Sequence, residues 1–134
     1  MTGTADTDRG FVRIACTHSV TATTDKLEEL LKQRDVKIFA RIDFARDAAA
    51  AGLDMRPEQL LIFGNPKAGT PLLQAQPTVG LDLPLRALVW EDTRGATWLA
   101  YNDPRYIVDR HGVPGNLSAN LAAVIALLEQ AARG

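Results

Sequence analysis

The sequence predicts a single α+β domain in which five strands form a sheet and helices cover one of its faces. Three observations lead to it. Short apolar or alternating runs are interleaved with helical patterns along the chain. Asp92-Thr93-Arg94-Gly95 joins two strand-like runs as the clearest hairpin, which argues against a purely parallel sheet. Finally, 134 residues with 46% apolar content can bury one core, and the chain contains no repeat and no sign of a second domain.

Residues 1–9 are polar and acidic and are expected to be a frayed tail ahead of a domain spanning residues 10–134. Residues 11–17 read as a strand, with Val12, Ile14 and Cys16 on one face. A helix is expected over residues 22–34, striped by Leu27, Leu30 and Leu31, with Asp25 and Glu28 in its early turns. Residues 36–43 form a second strand, with Val36, Ile38, Ala40 and Ile42 on one face. A small-residue helix follows over 45–53, with Gly52 placed to end it. Leu60-Leu61-Ile62-Phe63 is apolar on both faces, the mark of a central strand.

That strand runs into Gly64-Asn65-Pro66-Lys67-Ala68-Gly69-Thr70-Pro71, read as a loop, with Thr70 and Pro71 suited to the N-cap and first position of a short helix. Residues 85–91 and 96–101 make the hairpin, with Trp90 and Trp98 close across it. Asp103-Pro104 caps another short helix ending near His111-Gly112. The last helix is expected over about 117–132, with Leu117, Leu121, Val124, Ile125 and Leu128 as its stripe. Neither face of the first strand is strongly charged, so the second sheet face is expected to be covered, with a twin subunit as the cover.

Composition excludes several functions. Fifteen basic residues against sixteen acids give a net charge of −1, no surplus for a duplex, and only 6% of residues are aromatic, few for base stacking. Nucleic acid is therefore not an expected partner. No window approaches the ~20 apolar residues of a membrane span. The start lacks the basic and apolar regions of a signal peptide, and the single Cys16 permits no internal disulfide, so a cytoplasmic location is expected.

The run Ile62-Phe63-Gly64-Asn65-Pro66-Lys67-Ala68-Gly69-Thr70-Pro71-Leu72 resembles the signature of domain-of-unknown-function family 302. So does Leu81-Asp82-Leu83-Pro84-Leu85-Arg86. Upstream, Lys37-Ile38-Phe39-Ala40-Arg41-Ile42-Asp43 and Ala49-Ala50-Ala51-Gly52-Leu53 extend the match. Downstream, Trp98-Leu99-Ala100-Tyr101-Asn102-Asp103-Pro104 does the same, so that it covers about residues 11–131. The resemblance implies a curved, mainly antiparallel five-stranded sheet with helices on one face, similar to a half of the TATA-box-binding protein, and a homodimer. It implies no agreed activity and supplies no catalytic residue. Phe44 stands where a histidine is expected in the family after Ile42-Asp43, which puts histidine chemistry at that point in doubt.

Residues 64–70 superficially look like a P-loop. Nucleotide hydrolysis needs lysine directly after the second glycine, and Lys67 lies inside the loop instead. Two readings of the segment stay open. One is a simple anion site made of Lys67, loop amides and a helix start. The other is a structural turn in which the glycines supply backbone freedom. Asp82, flanked by leucines, is read as capping a turn or pairing with an arginine, Arg86 and Arg41 being available, or as a partly buried acid/base. His18 and His111 have no ligand-spaced partner, and Ser19 and Ser118 sit in no nucleophile elbow, so neither a metal site nor a serine triad is expected. Cys16 reads as a small core residue.

The leading expectation is a homodimeric module that binds a small anionic or polar metabolite near residues 64–71. Lys67 supplies the charge, Asn65 and Thr70 the hydrogen bonds, and Asp82, Tyr101 and Asn102 line the pocket. No cofactor is implied. The alternatives are an enzyme using Asp82 as acid or base and a purely structural or protein-interaction dimer domain.

Overall fold

The computed structural model describes residues 4–6 and 9–134. Its strands are β1 (Thr4–Asp6), β2 (Phe11–Cys16), β3 (Lys37–Asp43), β4 (Glu58–Gly64), β5 (Leu85–Glu91) and β6 (Thr97–Asn102). They form one antiparallel sheet in the order β1-β2-β6-β5-β4-β3. The five expected strands are β2 to β6. The short β1 at the edge falls within the stretch expected to be a frayed tail, where Thr4, Ala5 and Asp6 pair with Arg13, Val12 and Phe11. Residues 1–3 and 7–8 of that expected tail lie outside the described residues.

Helices α1 (Val20–Gln33) and α6 (Ile125–Arg133) pack against each other and against one sheet face. Helix α1 starts two residues earlier than its apolar stripe implied, because the Ser19 hydroxyl accepts the Ala22 N–H at 3.1 Å and caps it. It ends at Gln33 with Arg34 as its C-cap, and Asp35, whose φ of 57° is left-handed, then turns the chain toward β3. Leu27, Leu30 and Leu31 are buried, as their spacing predicts. They meet Leu61 and Phe63 of β4, Ala87 and Val89 of β5, Leu99 of β6 and Ile14 of β2 in the main core.

Strand β3 departs from the expected alternation. Its register against β4 shifts between Ile38 and Ala40. Ile38 therefore lies opposite the core residue Phe63, whereas Ala40 and Ile42 pair with Ile62 and Leu60 on the other sheet face. Phe39 is the extra residue of this bulge and is 46% exposed. Arg41 consequently turns toward α1, where it bonds Asp25 at 2.7 Å and the buried Gln59 at 2.9 Å.

On the second sheet face, the central residues are not buried by any described helix as the first face is by α1 and α6. Leu60, Leu88 and Ala100 form one cross-strand row, and Trp90 and Trp98 pair directly in the next. All five are only half-buried. The turn between β5 and β6 is organised by Asp92, whose carboxylate accepts the Trp98 indole N–H and the backbone N–H groups of Ala96 and Arg94, each at 2.9 Å. The indole bond first, then the backbone bonds, hold this carboxyl below its ordinary pKa.

A second, smaller core closes one end of the sheet. It joins Leu72 of α3 (Pro66–Ala75), Val79 of the 3₁₀ turn Pro77–Leu81, Ile107 and Val108 of α4 (Pro104–His111), and Leu121 of α5 (Ser118–Ala122). The expected continuous C-terminal helix is thus two helices, α5 and α6, separated at Ala123-Val124. Its stripe serves two cores: Leu117 and Leu121 belong to the smaller one, Val124 and Leu128 to the larger. The small-residue helix is α2 (Phe44–Ala50), capped by Asp43 and closed at Gly52, whose φ is 79°.

Candidate functional site

The segment read as a loop after β4 is helical almost from its start. Asn65 caps α3, its Oδ1 accepting the Lys67 N–H at 2.9 Å, and Pro66 takes the first position. The Thr70-Pro71 start expected from sequence is therefore corrected. Thr70 lies inside α3, and Pro71 is tolerated in its interior although it has no N–H for the Lys67 carbonyl.

This placement changes what the segment offers a ligand. Pro66 has no N–H, that of Lys67 is taken by the cap, and those of Ala68 and Gly69 both bond the Asn65 carbonyl at 2.9 Å. The helix start has no open amide with which to receive an anion.

A cleft of about 250 Å³ opens beside α3. Gly64, Asn65, Pro66, Ala68, Gly69, Thr70 and Leu73 form one wall, and Leu83, Pro84 and Leu85 form another. Asn120, Leu121 and Val124 close the floor, and Phe39 stands at the lip. The peptide bond between Leu83 and Pro84 is cis. The Asn120 amide donates to the Ala68 carbonyl at 3.2 Å and ties α5 to α3 across the cleft. Among the described residues no charged side chain lines it. Its polar groups are Asn65, Thr70 and Asn120, and Thr70 directs its hydroxyl to no protein partner among the described residues.

Of the six residues expected to form a site, the cleft unites Asn65 and Thr70. Lys67 is exposed on the first turn of α3, outside the lining. Tyr101 and Asn102 border a separate hollow of about 10 Å³, divided from the cleft by Leu85, Leu121 and Val124. That volume holds roughly one water molecule. Burial raises the Tyr101 phenol above its ordinary pKa, with Glu129 and Asp103 adding to the shift, so it stays protonated near neutrality.

Asp82 caps the 3₁₀ turn and faces away from the cleft that its neighbour Leu83 lines. It pairs with an arginine, though neither Arg86 nor Arg41. The Arg110 guanidinium donates to both carboxylate oxygens, at 3.1 and 2.9 Å, and His111 Nε2 lies 2.5 Å from Oδ2. The other ring nitrogen of His111 is 3.1 Å from the Thr78 hydroxyl. With its side chain only 6% exposed, His111 is a packed link between the 3₁₀ turn and α4.

Sequence reasoning missed Phe39, Leu73, Leu83, Pro84, Leu85 and Asn120. Leu83, Pro84 and Leu85 lie in a run that resembles the family, and Phe39 left a trace as a large aromatic off the apolar alternation of its strand, which the bulge then turns outward.

Cys16 behaves as its position implies. Burial pushes its thiol from 9.0 up to about 11. That shift lowers the thiolate population near neutrality roughly 100-fold relative to the unfolded chain. Alkylation by iodoacetamide is therefore expected to be slow in the folded protein and fast in urea. Equal rates in the two states would show an accessible, unshifted thiol. Among the described residues no group of three or more histidine, cysteine, aspartate or glutamate side chains is placed to hold a metal ion. No described helix is long and apolar enough to cross a membrane.

Comparison with known proteins follows the same outline. The chain is similar to the protein named Fluoride-specific ion channel FluC 1 of Brucella suis biovar 1 (strain 1330), with 43% identity over 115 residues, which is 86% of this chain and 44% of that protein. Fluoride-specific ion channel FluC 2 of Brucella melitensis biotype 1 (strain ATCC 23456 / CCUG 17765 / NCTC 10094 / 16M) gives 43% identity over 115 residues, covering 86% and 42%. The chain spans less than half the length of these curated relatives. The crystal structure of the uncharacterized conserved protein DUF302 from Bacillus stearothermophilus superposes with a TM-score of 0.80. The match is 22% identical and covers 92% of this chain and 98% of that one, so the two share a fold. With the family described as Domain of unknown function DUF302 matching residues 12–132, from β2 to the end of α6, the chain belongs to that family.

Proposed function

We propose that the protein is a small-molecule binding module whose site is the cleft between α3, the Leu83-Pro84-Leu85 segment and α5. The observation that carries this reading is the cleft itself: concave, about 250 Å³, walled mainly by apolar side chains, with a few polar groups grouped at Asn65, Thr70 and Asn120. That combination is what small-ligand sites share. The ligand's body is apolar, because Leu73, Leu83, Leu85, Leu121 and Val124 return nothing to a polar one. An acid/base enzyme centred on Asp82 has less support, since that carboxylate is held by Arg110 and His111 and faces away from the cleft.

The reading is tested by amide chemical-shift mapping with a panel of small amphiphiles. Binding at the cleft moves the resonances of Phe39, Gly69, Thr70 and Asn120 in a saturable way. Shifts confined to Tyr101 and Asn102, or none, would contradict it.

The uncovered sheet face supports a second element of the proposal, a homodimer that buries Leu60, Leu88, Trp90 and Trp98 against their copies. Light scattering at micromolar concentration is expected to give twice the chain mass, and Leu88→Lys is expected to give a folded monomer. A monomeric wild type would refute the dimer and leave the cleft untouched. The channel activity in the relatives' names belongs to proteins of which this chain matches less than half, and no feature of the cleft favours carrying it over.

A further inference from the structure

We propose that the cleft selects small amphiphilic carboxylates, with the acid at the mouth between Lys37 and Lys67 and the apolar tail inside. This rests on the cleft being a binding site and adds the charge of its ligand.

Three observations converge on the mouth. Lys37 lies opposite Gly64 in the β3–β4 ladder, and Gly64 is part of the cleft wall. Its ammonium sits 5.0 Å from the centroid of the Phe39 ring, the half-exposed aromatic at the lip. The second lysine, Lys67, stands on the first turn of α3 between Pro66 and Ala68, both of which line the cleft. Neither ammonium has a carboxylate partner among the described residues. Among the described residues no acidic side chain lines the cleft to repel an anion.

The physical division of labour follows. The interior carries no charge and no open helix amide, so a carboxylate drawn fully inside would lose its hydration without replacement. At the mouth it keeps part of its water and gains two ammonium neighbours. Burial of the tail supplies most of the affinity, and the lysines supply the preference for a charged head. Pairs of this exposure discriminate modestly, by about 3- to 10-fold at low salt for two lysines together. The preference is screened in about 1 M salt, where the Debye length falls to about 3 Å.

The experiment compares octanoate with octanamide, which share a tail and differ in charge. Calorimetric titration is run on the wild type, Lys37→Gln, Lys67→Gln and the double variant. The proposal expects octanoate to bind the wild type about 3- to 10-fold more tightly than octanamide, and expects that ratio to fall to about 1 in the double variant and at high salt. Octanamide affinity should not change across the four proteins. Equal binding of the two probes to the wild type overturns the carboxylate preference and leaves the cleft reading standing. A preference that survives in the double variant overturns the role of these lysines. Failure of both probes to bind any of the four proteins removes the cleft reading, and the inference with it.

Discussion

Phe63→Ala is expected to lower the free energy of unfolding by about 3–5 kcal/mol. Phe63 is 1% exposed, and its strand β4 is flanked on both sides, by β3 and β5. It lies opposite Ile38 on one neighbour and Leu85 on the other, in the core beneath α1 and α6. Truncation removes the transfer free energy of the ring and leaves a void that a paired central strand cannot collapse to fill. A loss of this size is a large fraction of the roughly 5–15 kcal/mol that holds a domain together. Leu60→Ala, on the same strand but the opposite face, is expected to cost less because Leu60 is half-buried. Urea denaturation of both variants checks the order. A Phe63→Ala loss no larger than that of Leu60→Ala would mean that the helices do not cover the face assigned to them.

Asp82→Ala is expected to cost about 1–3 kcal/mol near neutral pH and to leave ligand binding in the cleft detectable. The carboxylate joins the 3₁₀ turn to α4 through Arg110 and the nearly buried His111. Removing it strands His111 with Thr78 as its remaining partner. The contribution of Arg110 is discounted because half of its side chain is in water. A double-mutant cycle with Arg110→Ala separates the two: most of the Asp82→Ala loss should persist when Arg110 is already absent. If Asp82→Ala instead left stability unchanged and abolished turnover of a bound substrate, Asp82 would be a catalytic group.

Much of the fold was legible because its signals are local. The Asp103-Pro104 cap, the Gly112 terminator, the Asp92–Gly95 hairpin and the Leu27, Leu30 and Leu31 stripe each depend on a few neighbouring residues, and each stands where it was expected. The departures come from competition or from distance. Residues 65–71 hold two cap-proline pairs; the sequence reading places the helix start at Thr70-Pro71, and the helix starts at Asn65-Pro66. The bulge at Phe39 reverses the facing of half a strand by a single residue, an event that periodicity does not encode. The C-terminal stripe was read correctly as apolar, but its division between two cores depends on where α3 and α4 lie.

The site was legible in part for the same reason. Asn65 and Thr70 were found because they fall in the family signature, and the cleft runs beside that segment. The remaining walls come from Leu83–Leu85 and from α5, distant in sequence; Leu83–Leu85 lie in a run that resembles the family, but their apolar composition reads as core. Lys67 drew attention as the lone charge of a supposed loop. Once that loop is a helix with its amides satisfied, the lysine is left exposed on the first turn of α3, outside the lining of the cleft.

The most direct measurement fills the cleft from within. Gly69 lines it, lies in α3, and a Cβ built there meets nothing within 4 Å. Gly69→Phe is therefore expected to fold, with a thermal midpoint at or above that of the wild type because a helical glycine is replaced. Octanoate, titrated while amide shifts are followed, should bind the wild type and a Gly69→Ala control, and should no longer bind Gly69→Phe. Undiminished binding by a folded Gly69→Phe would place the ligand elsewhere and contradict the assignment of the cleft as the site.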